Sequence, residues 1–136
     1  MTPALAESAR MHNPHKGRTG VVRLLFAARH SAEGLAAAWQ HESAFRQELV
    51  LTVLMLPLAL WLGAGWVERS LLAGSVLLVL IAELLNSGIE AVVDRVSLET
   101  HELSKRAKDY GSAAVGLALL LCGGIWGAAL WQRFSG

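Results

Sequence analysis

Three stretches of this chain are too apolar to rest in water, and they constrain its fold more than any other feature. Leu49–Trp66 carries no charge, and Ala113–Trp131 is uncharged and rich in Ala, Leu and Gly. Leu71–Val93 is apolar apart from Glu83, Asn86, Glu90 and two serines. A bilayer-crossing helix needs about 20 mostly apolar residues. Hydrocarbon offers the backbone no hydrogen bonds, so each stretch is expected to be a helix, with Pro57 at most a kink. Composition points the same way. Of 136 residues 54% are apolar and 17% charged, against about 25% charged in soluble domains. A soluble chain this short has too little interior to hide that much apolar surface. The single Cys excludes a disulfide scaffold, and a net charge of +1 gives no reason to expect nucleic acid as a partner.

The expected architecture is all-α: an integral membrane protein with an amphipathic surface helix over 21–40 and spans over about 45–66, 69–94 and 110–132. Residues 1–20, with two prolines, two glycines and scattered bases, read as a disordered leader ahead of a membrane-embedded domain over 21–136. No segment reads as a signal peptide. Within 21–40, Val21, Leu24, Leu25, Ala28, Leu35 and Trp39 recur at helical spacing, interrupted by Arg23, Arg29, His30 and Glu33. Ten of the twelve Lys and Arg precede the first span or lie between the second and third; only Arg69 and Arg133 lie on the other side. The positive-inside rule therefore places the amino terminus and the second loop in the cytoplasm. Cys122, mid-span among leucines, reads as an inert buried thiol. The Gly123/Gly127 and Ser112/Gly116 pairs permit close helix packing.

Carboxylates inside a membrane span are costly, and the second span holds two. At about 100° per residue, Glu83, Asn86, Glu90 and Asp94 fall at roughly 0°, 300°, 340° and 20°, one stripe about 80° wide. The stripe must face protein or water. With Asp94 at the cytoplasmic surface, Glu90 lies roughly 7 Å and Glu83 roughly 18 Å down the helix axis. The acidic track thus runs from water into the lipid-tail region. None of the three apolar stretches contains a basic residue to pair with Glu83. At the cytoplasmic entrance stand Glu42, Arg46, Gln47 and Glu48, with Glu42 and Arg46 one helical turn apart. The charged run Glu99–Asp109 leads into the third span; Glu102, Lys105 and Arg106 read as a solvated turn, while His101, Lys108 and Asp109 stand open between that and a functional role. The chain carries no Walker A sequence, no G-x-G-x-x-G and no protein-kinase catalytic loop. Spacing alone leaves open an enzyme, a proton- or cation-conducting oligomer, and a stripe that only holds subunits together.

The stripe E-x-x-N-x-x-x-E-x-x-x-D (Glu83 to Asp94), the run E-x-x-F-R-Q-E (Glu42 to Glu48) and the motif A-K-D-x-G-S-A-A-V (Ala107 to Val115) resemble the prokaryotic diacylglycerol kinases over about residues 21–134. The resemblance implies a small homotrimer of the bacterial inner membrane with active sites between subunits. There MgATP would phosphorylate diacylglycerol to phosphatidic acid. It implies Glu83 as the general base, with Glu42 and Glu90 holding Mg²⁺ on the ATP phosphates. Arg23, His30, Glu99, His101, Lys108 and Asp109 match nucleotide-binding positions. Ser31, Trp39, Arg46, Gln47, Glu48 and Ser112 match lipid-facing or site-lining ones, and Asn86 would help shape the site. Relatives in that family phosphorylate undecaprenol, but the E-x-x-F-R-Q-E and A-K-D-Y-G-S runs look more like the diacylglycerol form. Glu33 and Ala36 depart from the family pattern, standing where basic residues are common.

Overall fold

A computed structural model describes residues 20–96, 98, 99 and 101–136. The expected leader lies outside the described residues, apart from Gly20. Four helices make up the described chain: α1 Val21–His41, α2 Ser43–Leu62, α3 Trp66–Val96 and α4 Glu102–Ser135. The fold is all-helical, and α2, α3 and α4 are each long and apolar enough to cross a membrane. At 1.5 Å per residue α2 is about 30 Å long, matching a hydrocarbon core, while α3 and α4 reach about 46 and 51 Å.

The chain divides into two compact units, one ending at Leu35 and the other spanning Ala36–Gly136. In the first, α1 starts after Gly20, whose positive φ of 68° suits a residue without Cβ. The interruptions in its apolar pattern are polar contacts along the helix surface. The Arg29 guanidinium donates to Glu33 at 2.8 Å, and His30 Nδ1 lies 3.4 Å from the other Glu33 oxygen. Those two neighbours hold the Glu33 carboxyl below its ordinary range. Val21, Leu24 and Leu25 are exposed.

In the second unit, α1 breaks into α2 at Glu42, whose backbone is extended (φ −109°, ψ 111°). Spacing suggested a Glu42–Arg46 pair, but Glu42 lies outside the helix, and Arg46 turns back to the end of α1. Its Nη1 donates to the carbonyls of Trp39 and Gln40 at 3.0 and 3.4 Å, satisfying acceptors that a helix end leaves open. Ala38, Phe45 and Leu80 form a small buried cluster beneath this corner. At the opposite end of α2, a tight turn over Gly63–Gly65 leads into α3. The Glu68 carboxylate accepts from Ala64 N at 2.7 Å, and Arg69 Nε donates to the Gly63 carbonyl at 3.0 Å. A Cβ at Gly63 would stand 2.5 Å from Arg69 Cγ, so the turn needs a glycine.

The main core lies where α3 meets α2 and α4: Ala59, Leu72, Val76, Val79, Ala118, Cys122 and Trp126 are buried together. Cys122 is buried and free, as expected of an inert thiol. Polar atoms here are paired. The Leu72 carbonyl accepts from Ser75 Oγ at 2.9 Å and from Trp126 Nε1 at 3.2 Å. Outside this core, 33 large apolar side chains among the described residues stand exposed, including most leucines of α2 and α4. Such a surface is stable only against lipid or other protein.

The run read as a solvated turn is exposed as expected, but from Glu102 onward it is helical. His101 caps α4, its Nδ1 accepting from Leu103 N at 3.1 Å. Arg106 pairs with Glu102 at 3.1 Å and Lys105 with Asp109 at 2.6 Å, both one turn apart. A polar cap and i,i+4 pairs favour helix where hydropathy alone suggested a turn.

Candidate functional site

The helical period puts the α3 stripe against protein. Glu83 is 6% exposed and Asn86 9%, Glu90 is half-buried, and Asp94 emerges at the end of the helix. Asn86 Nδ2 donates to Glu90 Oε1 at 3.2 Å, a bond between residues four apart on that stripe. The other amide atom, Asn86 Oδ1, is buried with no hydrogen-bond partner. It faces Gly111 of α4, where a Cβ would collide with it.

Carboxylates from two other places converge on the stripe. Glu83 interacts electrostatically with Glu90 and with Glu42 from the α1–α2 corner; Glu48, one and a half turns into α2, interacts with Glu83. No cation takes part in these interactions. Glu48 Oε2 is the second buried side-chain atom among the described residues with no hydrogen-bond partner. Four carboxylates interact here, and the base that reaches them is Lys108 of α4, which interacts electrostatically with Glu90. Among the described residues no three His, Cys, Asp or Glu side chains are grouped closely enough to hold a metal by themselves.

The stripe joins two different spaces. At its outer end Asp94 borders a cavity of about 350 Å³, which Glu99, His101, Ser104, Lys105 and Lys108 also line. Lys108 Nζ bridges to Asp94 Oδ1 at 2.6 Å, tying α4 to α3. Because His101 Nδ1 is an acceptor, its neutral ring carries the proton on Nε2. Deeper in, Asn86 borders a groove of about 510 Å³ between α3 and α4. Its other lining residues include Ile81, Leu85, Ile89, Tyr110, Ala114 and Leu117, almost all apolar.

The structure therefore gathers Glu42, Glu48, Glu83, Asn86 and Glu90 into one cluster, and Glu99, His101 and Lys108 around one cavity. Within the second unit it brings none of the remaining expected residues to either place. Asp109 is engaged by Lys105, Arg46 closes the end of α1, and Gln47 and Ser112 are exposed. Trp39 lines a separate apolar hollow with Leu49, Val50, Val53 and Leu54. Arg23, His30 and Ser31 belong to the first unit, where Ser31 Oγ donates to the Ala27 carbonyl. One participant was missed: Asp94, part of the stripe by period, is the anchor of Lys108. The signal was the period itself; the sequence held no sign of which base would meet it.

A model of the family described as prokaryotic diacylglycerol kinase matches residues 29–130. A diacylglycerol kinase of Escherichia coli K12 is 52% identical over 117 residues, covering 86% of this chain and 96% of that protein. One of Pseudomonas aeruginosa is 50% identical over 118 residues (87% and 96%), and one of Haemophilus influenzae 47% over 113 residues (83% and 96%).

Proposed function

Because this chain belongs to the prokaryotic diacylglycerol kinase family and is a lipid kinase of the membrane, we propose that it moves the γ-phosphoryl group of MgATP to the free hydroxyl of diacylglycerol through the α3 carboxylate stripe. The products are phosphatidic acid and ADP. One observation carries this assignment: a buried carboxylate, Glu83, with no cationic partner, on a stripe whose Asp94 borders a charged cavity and whose Asn86 borders an apolar groove. A water-soluble donor and a lipid-soluble acceptor need such a junction.

Phosphoryl transfer asks for positioning and charge neutralisation more than for covalent chemistry. The nucleotide enters the cavity at Glu99, His101 and Lys108. Lys108 exchanges part of its contact with Asp94 for phosphate oxygens, keeping its charge beside the transferring group. Glu42 and Glu90 would hold the Mg²⁺ that arrives with ATP, with Asn86 bonded to one Glu90 oxygen, and the ion would supply charge neutralisation at the phosphates. Glu83 accepts the proton of the lipid hydroxyl as its oxygen attacks in line, and the acyl chains lie along apolar helix surface. Glu48 lines the acceptor side next to Glu83.

Arg23, His30 and Asp109 complete the nucleotide contacts, and Ser31, Trp39, Arg46, Gln47 and Ser112 the lipid side. Several of these are exposed or engaged elsewhere in the single chain, which supports a homotrimer with shared sites. The 21–40 helix lies on the membrane surface, and the amino terminus is cytoplasmic in the bacterial inner membrane, as the 10-to-2 division of bases requires.

Purified protein in detergent micelles, given radiolabelled MgATP and diacylglycerol, is expected to form phosphatidic acid. Chelation with EDTA should stop it, and added Mg²⁺ should restore it. A faster rate on undecaprenol overturns the choice of acceptor. Ion flux in liposomes with no phospholipid formed overturns the assignment altogether.

A further inference from the structure

We propose that Gly111 is a positioning residue for the phosphoryl-transfer site: by lacking a side chain it lets the Asn86 carboxamide lie across the α3–α4 crossing, in the one orientation that holds Glu90. Gly111 is buried, and a Cβ built on it would overlap Asn86 Oδ1 and stand 3.2 Å from Asn86 Cγ. The other four glycines of α4 (Gly116, Gly123, Gly124 and Gly127) would each receive a Cβ with nothing within 4 Å. The close approach is thus specific to one glycine and one polar side chain, and it is not a general property of the helix pair.

The carboxamide's orientation follows from its two neighbours. With Nδ2 on Glu90 Oε1 at 3.2 Å, Oδ1 must point at Gly111. The flipped amide would set its oxygen against a carboxylate and its N–H groups against a C–H. A glycine hydrogen occupies the direction a Cβ would take, so Oδ1 faces a C–H group, a weak acceptor contact that only glycine allows at this distance. It is also the reason Oδ1 lacks an ordinary partner although buried. Gly111 touches no reacting atom; it acts through Asn86. Any larger residue displaces the carboxamide and releases the Glu90 carboxylate.

The consequence for metal binding rests on the role given to Glu90 above; the link from Gly111 to Asn86 does not. The chain contains two asparagines, Asn13 and Asn86, so selective ¹⁵N-asparagine labelling gives two side-chain amide signals in micelles. Glu90→Ala should move the Asn86 signal, and Gly111→Ala should move it in the same direction. Gly111→Ala should also raise the Mg²⁺ concentration for half-maximal turnover by about tenfold, as loss of a group that orients a metal ligand does, with a smaller fall in rate at saturating Mg²⁺. An Asn86 signal unmoved by Gly111→Ala overturns the proposal. A moved signal with unchanged Mg²⁺ dependence supports the positioning link and removes Glu90 from the metal-holding role instead. If Gly111→Ala does not accumulate as folded protein, the double variant Gly111→Ala/Asn86→Ala takes away the colliding group. Recovery of folded protein supports the proposal, and failure to recover assigns Gly111 to helix packing alone and overturns it.

Discussion

The two halves of the α3–α4 pair handle buried polarity in opposite ways. Around Leu72, Ser75, Cys122 and Trp126, each hydroxyl and indole donor finds an acceptor on the neighbouring backbone or sulfur, and the side chains interlock. Around Glu83, Asn86 and Glu90, carboxylates cluster with Lys108 facing Glu90 alone of the four, and an amide oxygen and a carboxylate oxygen are left unpaired. Both halves are built on the same two helices, with Glu42 and Glu48 joining the second from the α1–α2 corner and from α2, so the difference lies in the side chains brought together. The first half minimises its own free energy. The second keeps unused hydrogen-bonding and charge capacity, which costs stability unless something from outside uses it. Unsatisfied polarity beside a well-satisfied core is a physical signature of a site.

That contrast can be broken by experiment. Glu83→Gln keeps the volume and removes the base, and should lower turnover by about 10²- to 10⁴-fold. Size-exclusion profile and thermal midpoint in detergent should stay put; if the oligomer dissociates, the stripe holds subunits together instead. Trp126→Ala should do the reverse. It empties a buried volume and removes the bond to Leu72, costing about 3 kcal/mol of stability. Turnover per folded molecule should be unchanged, so a large fall in kcat at full folding would show that the two halves are coupled. Ser75→Ala sets the fine scale of the satisfied half. Its hydroxyl bonds only to the carbonyl of its own helix and to a thiol, so the loss should be about 0.6 kcal/mol or less, read from denaturation in mixed micelles.

Much of this was legible beforehand, because lipid restricts what a chain can do. Long apolar stretches sufficed to foresee the three spans, though not the charged first turns of α4, and a period of 3.6 residues put Glu83, Asn86, Glu90 and Asp94 on one face. Expectations for individual roles came only from resemblance to a family, since a carboxylate that binds metal and one that takes a proton look alike as letters. Local contacts were the least readable. Arg46 seemed a mate for Glu42 four residues before it, yet the break at Glu42 takes that residue off the helical face, and Arg46 closes the end of α1 instead. Spacing of small residues pointed to Gly116, Gly123 and Gly127, but the tight crossing is at Gly111. A glycine has no functional group, so its sequence context does not reveal what presses against it.

The amino-acid sequence by itself determined which segments leave water, which way the bases bias the chain, and that acids descend one helix face into hydrocarbon. These depend on composition and on a period set by the backbone, both local properties. Only the tertiary structure decided that Lys108 meets Asp94, that Glu42 and Glu48 join Glu83, and that Asn86 rests on a bare Cα. Each of these depends on where two helices cross, to within less than the width of a methyl group. A crossing is set by the packing of all the side chains at the contact together, which no single segment encodes.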